Sequence, residues 1–335
     1  MYRLCTAALV LASLTPGVLG AQQASGELYG DFRYSFNGSD DGALRRSATA
    51  NNASRLGYRG GLEGETISVL VDLQTGVNLD GGSPGGALTQ RYYFVELRGG
   101  FGALALGRRS TAYKSAGQRL DPFYDASTVA TSGAVPAGGL YAGGSFGLSN
   151  LTNGFADRTL AYTTPSVGGL VANAAVQIDP DDDDDLSAGV TFRHSAVELG
   201  VQHYAVGGNS WTQTAGVDAA QRGYASVSQG NWSLGVSGER VTAVTGGENH
   251  FLYASSTLPV LPATTLVASL GWVTGDGDAQ PVTGRGVHAG LYYDLLPQTR
   301  LHALYSYVDA ENRAGKSNAA FGLTYGFSLR PLTAQ

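Results

Sequence analysis

A set of arginines and a few aspartates are the residues of this chain with the most chemistry to offer. In "GELYGDFRYSF" (26–36), alternation puts Glu27, Tyr29, Asp31, Arg33 and Ser35 on one face and Leu28, Phe32, Tyr34 and Phe36 on the other. In "SRLGYRG", Arg55 and Arg59 share a face opposite Leu56 and Tyr58, and in "RYYF" Arg91 opposes Tyr92 and Phe94. Arg158 of "DRTLAY" has the parity of Leu160 and Tyr162, so strict alternation turns it outward; at the strand start a bulge or the end of the ladder would redirect it to join the other arginines. A guanidinium keeps its charge and its planar donor fork in confined, wet places. Arg33, Arg55, Arg59, Arg91 and Arg158 on one wall, with Asp121 and Asp125 of a long connection facing them, would set a transverse field across a water gap. Such a field orders water, disfavours apolar solutes and lets small polar ones pass. The competing reading is that each arginine merely pairs with a wall carboxylate such as Asp31.

Other chemistry is thin. The histidines are His194, His203, His250, His288 and His302, and none forms an HExxH or a close His/Cys cluster. There is no GxSxG element, so no enzyme is expected. His288 and His302 share the inward parity of adjacent strands, which reads as scattered interior histidines rather than a metal site. Asp181, Asp182, Asp183, Asp184 and Asp185 close the run "DPDDDDD". It reads as a solvated charge run, or as a loosely bound calcium site that lacks EF-hand spacing. No other cofactor is expected.

These residues need elements to hold them. Residues 1–20, "MYRLCTAALVLASLTPGVLG", carry a basic start, a short apolar stretch and small residues before Ala21, the pattern of a cleaved signal peptide. The remaining chain, 21–335, has no cysteine, and losing Arg3 lowers the formal net charge from −6 to −7. That acidic balance argues against a nucleic-acid partner. No apolar run is long enough for a spanning helix. Alternation with period two recurs instead, as in Leu170–Asp179 and "AAFGLTYGFSL" (319–329). About sixteen such segments, each near the ~10 residues of a tilted membrane strand, are joined by connections that alternate short and long. The expected fold is an all-β, transmembrane, antiparallel up-and-down barrel. Its oily residues face lipid, with aromatic girdles at the rims, and its small and polar residues face a wet lumen. The connection at 111–155 is the longest; Phe123, Tyr124, Leu140, Tyr141 and Phe146 suit a loop folded into that lumen.

On "GELYGDFRYSF", "SRLGYRGGLE" (54–63), "RYYFVELRGGFGALALGRRSTAY" (91–113), "DPFYD" (121–125) and "DRTLAYTTPSVGGL" (157–170), the chain resembles the general, non-specific porins of Gram-negative outer membranes. The resemblance implies a sixteen-stranded homotrimer whose third loop folds inward to form an eyelet. It implies passive diffusion of small hydrophilic solutes and ions, with outer-membrane lipid and lipopolysaccharide as surroundings. Arg55 and Arg91 match the family's basic cluster, Arg158 more loosely, and Asp121 and Asp125 stand where its acidic loop residues stand. Arg108 matches an arginine that faces a neighbouring subunit's second loop, with Asp80 as a candidate partner. The chain departs from the family in ending on "RPLTAQ" rather than an aromatic residue, and Glu96 falls on the outward parity of its strand. A substrate-selective porin, or a secreted β-sandwich adhesin or lectin, are the alternatives.

Overall fold

The computed structural model describes residues 23–40, 48–79, 88–124, 126, 145–153, 155–179, 183–207, 216–275, 283–311 and 316–330. Residues 1–20, where a signal peptide is expected, Asp80, Asp125, Asp181, Asp182, residues 127–144 and residues 331–335 lie outside these residues.

The described residues form one sheet of strands β1 (Gln23–Asp40), β2 (Ala48–Asn51), β3 (Arg55–Glu63), β4 (Ile67–Val77), β5 (Leu88–Gly99) and β6 (Gly102–Arg109). It continues through β7 (Ala156–Thr163), β8 (Leu170–Gln177), β9 (Asp185–His194), β10 (Val197–Ala205), β11 (Val217–Gln229) and β12 (Trp232–Ala243). It ends with β13 (Glu248–Leu261), β14 (Thr264–Gly275), β15 (Gly284–Leu296), β16 (Thr299–Ala310) and β17 (Lys316–Leu329). Every pairing is antiparallel, and β1 pairs with β17 from Leu28↔Leu329 to Asp40↔Ser317, which closes the sheet into a barrel. Both β2 and β3 pair with β1, so they are two halves of one spanning strand, broken at 52–54 where Ala53 has φ 59°. The seventeen segments therefore make sixteen spanning strands. Closure leaves no edge, so the backbone is satisfied without water.

At one end the strands turn tightly. Ser195–Ala196, Gly230–Asn231, Pro262–Ala263 and Pro297–Gln298 each contain one left-handed residue, as hairpin turns require. Long connections occupy the other end. The outer face is oily: Phe321, Leu323, Tyr325 and Leu329 of β17 are all exposed, as are Leu234, Val236 and Leu252. Near the strand ends, Phe36, Trp272, Tyr293 and Tyr305 are exposed as expected of rim aromatics. Among the described residues no helix is long and apolar enough to cross a membrane. Replacing Val236, midway along β12, by arginine is expected to cost about 2–4 kcal/mol. A lowered urea midpoint in lipid vesicles reads that cost; an unchanged midpoint would mean this face does not meet hydrocarbon.

One strand departs from simple alternation. Between β4 and β5 the register shifts, Leu73 facing Tyr93 while Thr75 faces Gln90. The extra residue lies at Arg91–Tyr92, and the parity beyond it is reversed. Tyr93 and Val95 are the exposed residues, not Tyr92 and Phe94. Phe94 lies under the Arg109 guanidinium, and Glu96 is buried between Arg98 and Arg109. The outward assignments of Tyr92, Phe94 and Glu96 are thus corrected.

Candidate functional site

The chain leaves β6 into helix α1 (Ala112–Leu120), capped by Thr111, whose hydroxyl accepts from the Lys114 N–H at 3.1 Å. Buried apolar packing lies here, inside the barrel. Tyr113, Phe146 and Leu151 of this connection pack with Tyr204, Val241, Phe251, Val273 and Val308 of the inner wall. Phe123 packs with Val267, Tyr292, Leu304 and Ala320.

Polar anchors fix the same segment. Glu239 accepts from the Tyr113 hydroxyl at 2.5 Å, the Ser149 N–H at 3.1 Å and the Ser149 hydroxyl. Its ion-pair partner at 2.9 Å is Arg222, which also donates to the Tyr113 carbonyl at 2.8 Å and the Thr152 hydroxyl at 2.5 Å. Both side chains are fully buried. The Tyr292 hydroxyl donates to the Pro122 carbonyl, and the Ser255 hydroxyl to that of Leu120. The Phe146 N–H donates to His288 Nε2 at 3.1 Å. Gly147, at φ 105°, and Phe146 press on Gly271 and Gly286, where any Cβ would collide with them.

Asp121 belongs to these anchors. Its carboxylate accepts from the Phe123 N–H at 3.0 Å, the Ser145 N–H at 2.7 Å, the Ser145 hydroxyl at 2.8 Å and the Tyr253 hydroxyl at 2.9 Å. It is 5% exposed. Burial raises its pKa, opposed by those four donors. The expectation that Asp121 faces the arginines across the gap is corrected: it points at β13 and ties two ends of the loop together. Its described partners leave Asp125, outside the described residues, as the other carboxylate of 111–155.

The arginine wall is built by cross-strand register. Asp31 stands opposite Arg55, and Arg59 opposite Asp72. Asp31 accepts from Arg33 Nε at 2.8 Å and from an Arg55 terminal nitrogen at 2.7 Å. One carboxylate is thereby shared by two guanidinium groups. A second chain of contacts runs from Arg59 to Asp72 at 2.8 Å, from the Tyr29 hydroxyl to Asp72 at 2.6 Å, from Gln74 to Tyr29 at 3.0 Å and from Arg91 to Gln74 at 2.7 Å. Arg33, Arg55, Arg59 and Arg91 are thus brought onto one stretch of the inner wall, β1 to β5.

The remaining sequence candidates are placed elsewhere. Arg158, at φ 46°, is exposed like Leu160 and Tyr162 rather than buried like Thr159 and Ala161, so it does not join that wall. Arg108 pairs with Asp157 at 2.6 Å, and its guanidinium, that of Arg91 and the Lys114 ammonium all lie over the Phe155 ring. Asp185 accepts from the Tyr204 hydroxyl and the Gly207 N–H, and Asp184 from the Asp179 N–H. Among the described residues no group of three or more His, Cys, Asp or Glu is arranged to hold a metal. Sequence reading missed Arg222, Glu239 and Tyr253. The available signal was Val241, Phe251, Val273 and Val308, apolar residues on a lumen-facing parity.

The comparisons agree on the architecture. An anion-selective porin from Comamonas acidovorans superposes with a TM-score of 0.71 at 16% identity, covering 91% of this chain and 100% of that one. OmpF of Salmonella typhi, in complex with daunomycin, gives 0.68 at 15% identity over 90% of this chain and 97% of that one. The trimer form of OmpT from Vibrio cholerae gives 0.65 at 14% identity over 92% and 100%. No curated protein matches by sequence. A family model described as Gram-negative porin matches residues 6–313. With a closed sixteen-stranded barrel and a loop pinned inside it, the chain belongs to the Gram-negative porin family and forms an outer-membrane pore for passive diffusion.

Proposed function

We propose that the narrowest part of the pore lies between the 111–155 loop and the wall bearing Arg33, Arg55 and Arg91, and that it favours small hydrophilic anions over cations of the same size. The observation that carries this reading is Asp121, the loop carboxylate turned away into β13. With it withdrawn, the loop brings one carboxylate fewer to the wall of Arg33, Arg55 and Arg91, on which Asp31 accepts from both Arg33 and Arg55. The printed property of the Comamonas acidovorans relative, an anion-selective porin, supports the same direction. The chain's overall negative charge does not contradict it, because many carboxylates sit in the long connections: Asp179 and Asp181–Asp185 alone make a dense acidic run there. The porin operates as a homotrimer in this reading, as the trimer form of OmpT does. Lipid and lipopolysaccharide surround it.

A unit charge about 5 Å from the ion path is worth ~0.8 kcal/mol in water before screening. Neutralising Arg55 and Arg91 together as R55Q/R91Q is therefore expected to lower the anion-to-cation permeability ratio several-fold. Reversal potentials in planar bilayers under a salt gradient measure it. An unchanged reversal potential removes these arginines from the filter.

A further inference from the structure

Away from the Arg33–Arg55–Arg91 wall, a cavity of about 220 Å³ lies between α1 and the inner face of β6–β10. Arg109, Arg119 and Arg193 line it together with Ser115, Asn173 and Gln202, and no carboxylate is among its lining residues. We infer that this alcove is a second anion site, built for a small oxyanion of the inorganic phosphate class. The inference stands beside the pore reading and depends on the loop being held inside the barrel.

The arginines are held from outside the alcove. Arg119 and Arg193 share Glu198, at 2.6 and 2.7 Å. Arg109 shares Glu96 with Arg98, at 3.3 and 2.5 Å. Two carboxylates thus fix four guanidinium groups, an excess of two positive charges. Sharing leaves each pair of guanidinium groups with a net positive charge, which an anion in the cavity would offset. A guanidinium offers five N–H donors. Arg193 commits Nε to Glu198, and Arg109 one terminal nitrogen to Glu96, so further donors of both remain for a ligand. The Arg109 guanidinium lies over the Phe94 ring and is 24% exposed, so it is both oriented and partly desolvated. Fork-shaped donors tethered around one cavity, with a hydroxyl and two amides among its lining residues, suit the oxygens of a tetrahedral oxyanion. The volume holds such an ion with part of its hydration shell, since water occupies about 30 Å³ in the liquid.

The test is a titration of the full-length protein in detergent micelles with inorganic phosphate, at constant ionic strength in chloride, read by calorimetry. Saturable binding is expected, weakened about tenfold or more in R119Q/R193Q, because two charge-assisted donors are lost. Ser115→Asp keeps every arginine and places a carboxylate in the cavity; it should abolish binding, and it covers the case in which R119Q/R193Q does not assemble. Arg240→Gln, at an exposed pair with Glu248 away from both arginine sites, should bind as the parent does. Binding that is absent from the parent, survives Ser115→Asp, or disappears equally in Arg240→Gln overturns the proposal. Planar bilayers separate this from the pore reading. Lack of conductance would defeat the pore, while the micelle titration still reads the alcove.

Discussion

Glu239→Ala is expected to destabilise the protein by about 3–5 kcal/mol, the cost of leaving a buried charge without its partner. Arg222 would keep its full charge at zero exposure, since a guanidinium does not deprotonate at any accessible pH. The Tyr113 hydroxyl and both Ser149 donors would lose their acceptor in the same step. Denaturant unfolding in detergent, followed by the loss of strand signal, measures the effect. The double replacement Arg222→Leu/Glu239→Leu is the informative companion: removing both charges together should recover a large part of the loss. A Glu239→Ala variant as stable as the parent would show that the network holds nothing in place.

Asp121→Ala separates two roles for one carboxylate. If Asp121 were a filter residue, its loss would alter ion selectivity and leave the aperture's size alone. As an anchor, its removal strands the Phe123 and Ser145 N–H groups and the hydroxyls of Ser145 and Tyr253. A buried donor without an acceptor costs about 1–3 kcal/mol, so the loop's attachment should weaken by several kcal/mol. The expected results are larger and noisier single-channel currents and faster proteolytic cleavage within 111–155. Parent-like current amplitude with a shifted reversal potential would reinstate the filter role. Asp121→Asn, which still accepts hydrogen bonds, should lie nearer to the parent in current amplitude.

The barrel itself was plain in the sequence because its physics is local. Period two separates the face of Phe321, Leu323 and Tyr325 from that of Gly322 and Thr324 without reference to any partner strand. Turn residues such as Pro297–Gln298 and Gly230–Asn231 mark where strands reverse. The readings that failed depend on insertions and on distance. A single extra residue at Arg91–Tyr92 reversed the parity of Phe94 and Glu96, and nothing in "RYYFVELRGG" announces which residue a bulge absorbs. Asp121 sits in "DPFYD" as a filter carboxylate would, but its deciding partner, Tyr253, is 132 residues away. Arg158 was ambiguous for the opposite reason: plain alternation placed it correctly, and the bulge invoked to bring it inward does not do so. The arginines of the wall were legible because each strand's own alternation gave their side, and register then had only to align them.

The loop's seat is encoded far downstream of the loop. Residues 111–155 emerge after the fifth spanning strand, while Arg222, Glu239, Tyr253, His288 and Tyr292 arrive on β11 to β15. Contacts this remote in the chain form late, because the intervening segment must be ordered first. A partly inserted cylinder therefore has no place to fasten its plug, and its bore stays wide until the last strands are laid down. Narrowing of the bore becomes a report of completed insertion, so a chain stalled before β15 would leak where the finished one sieves.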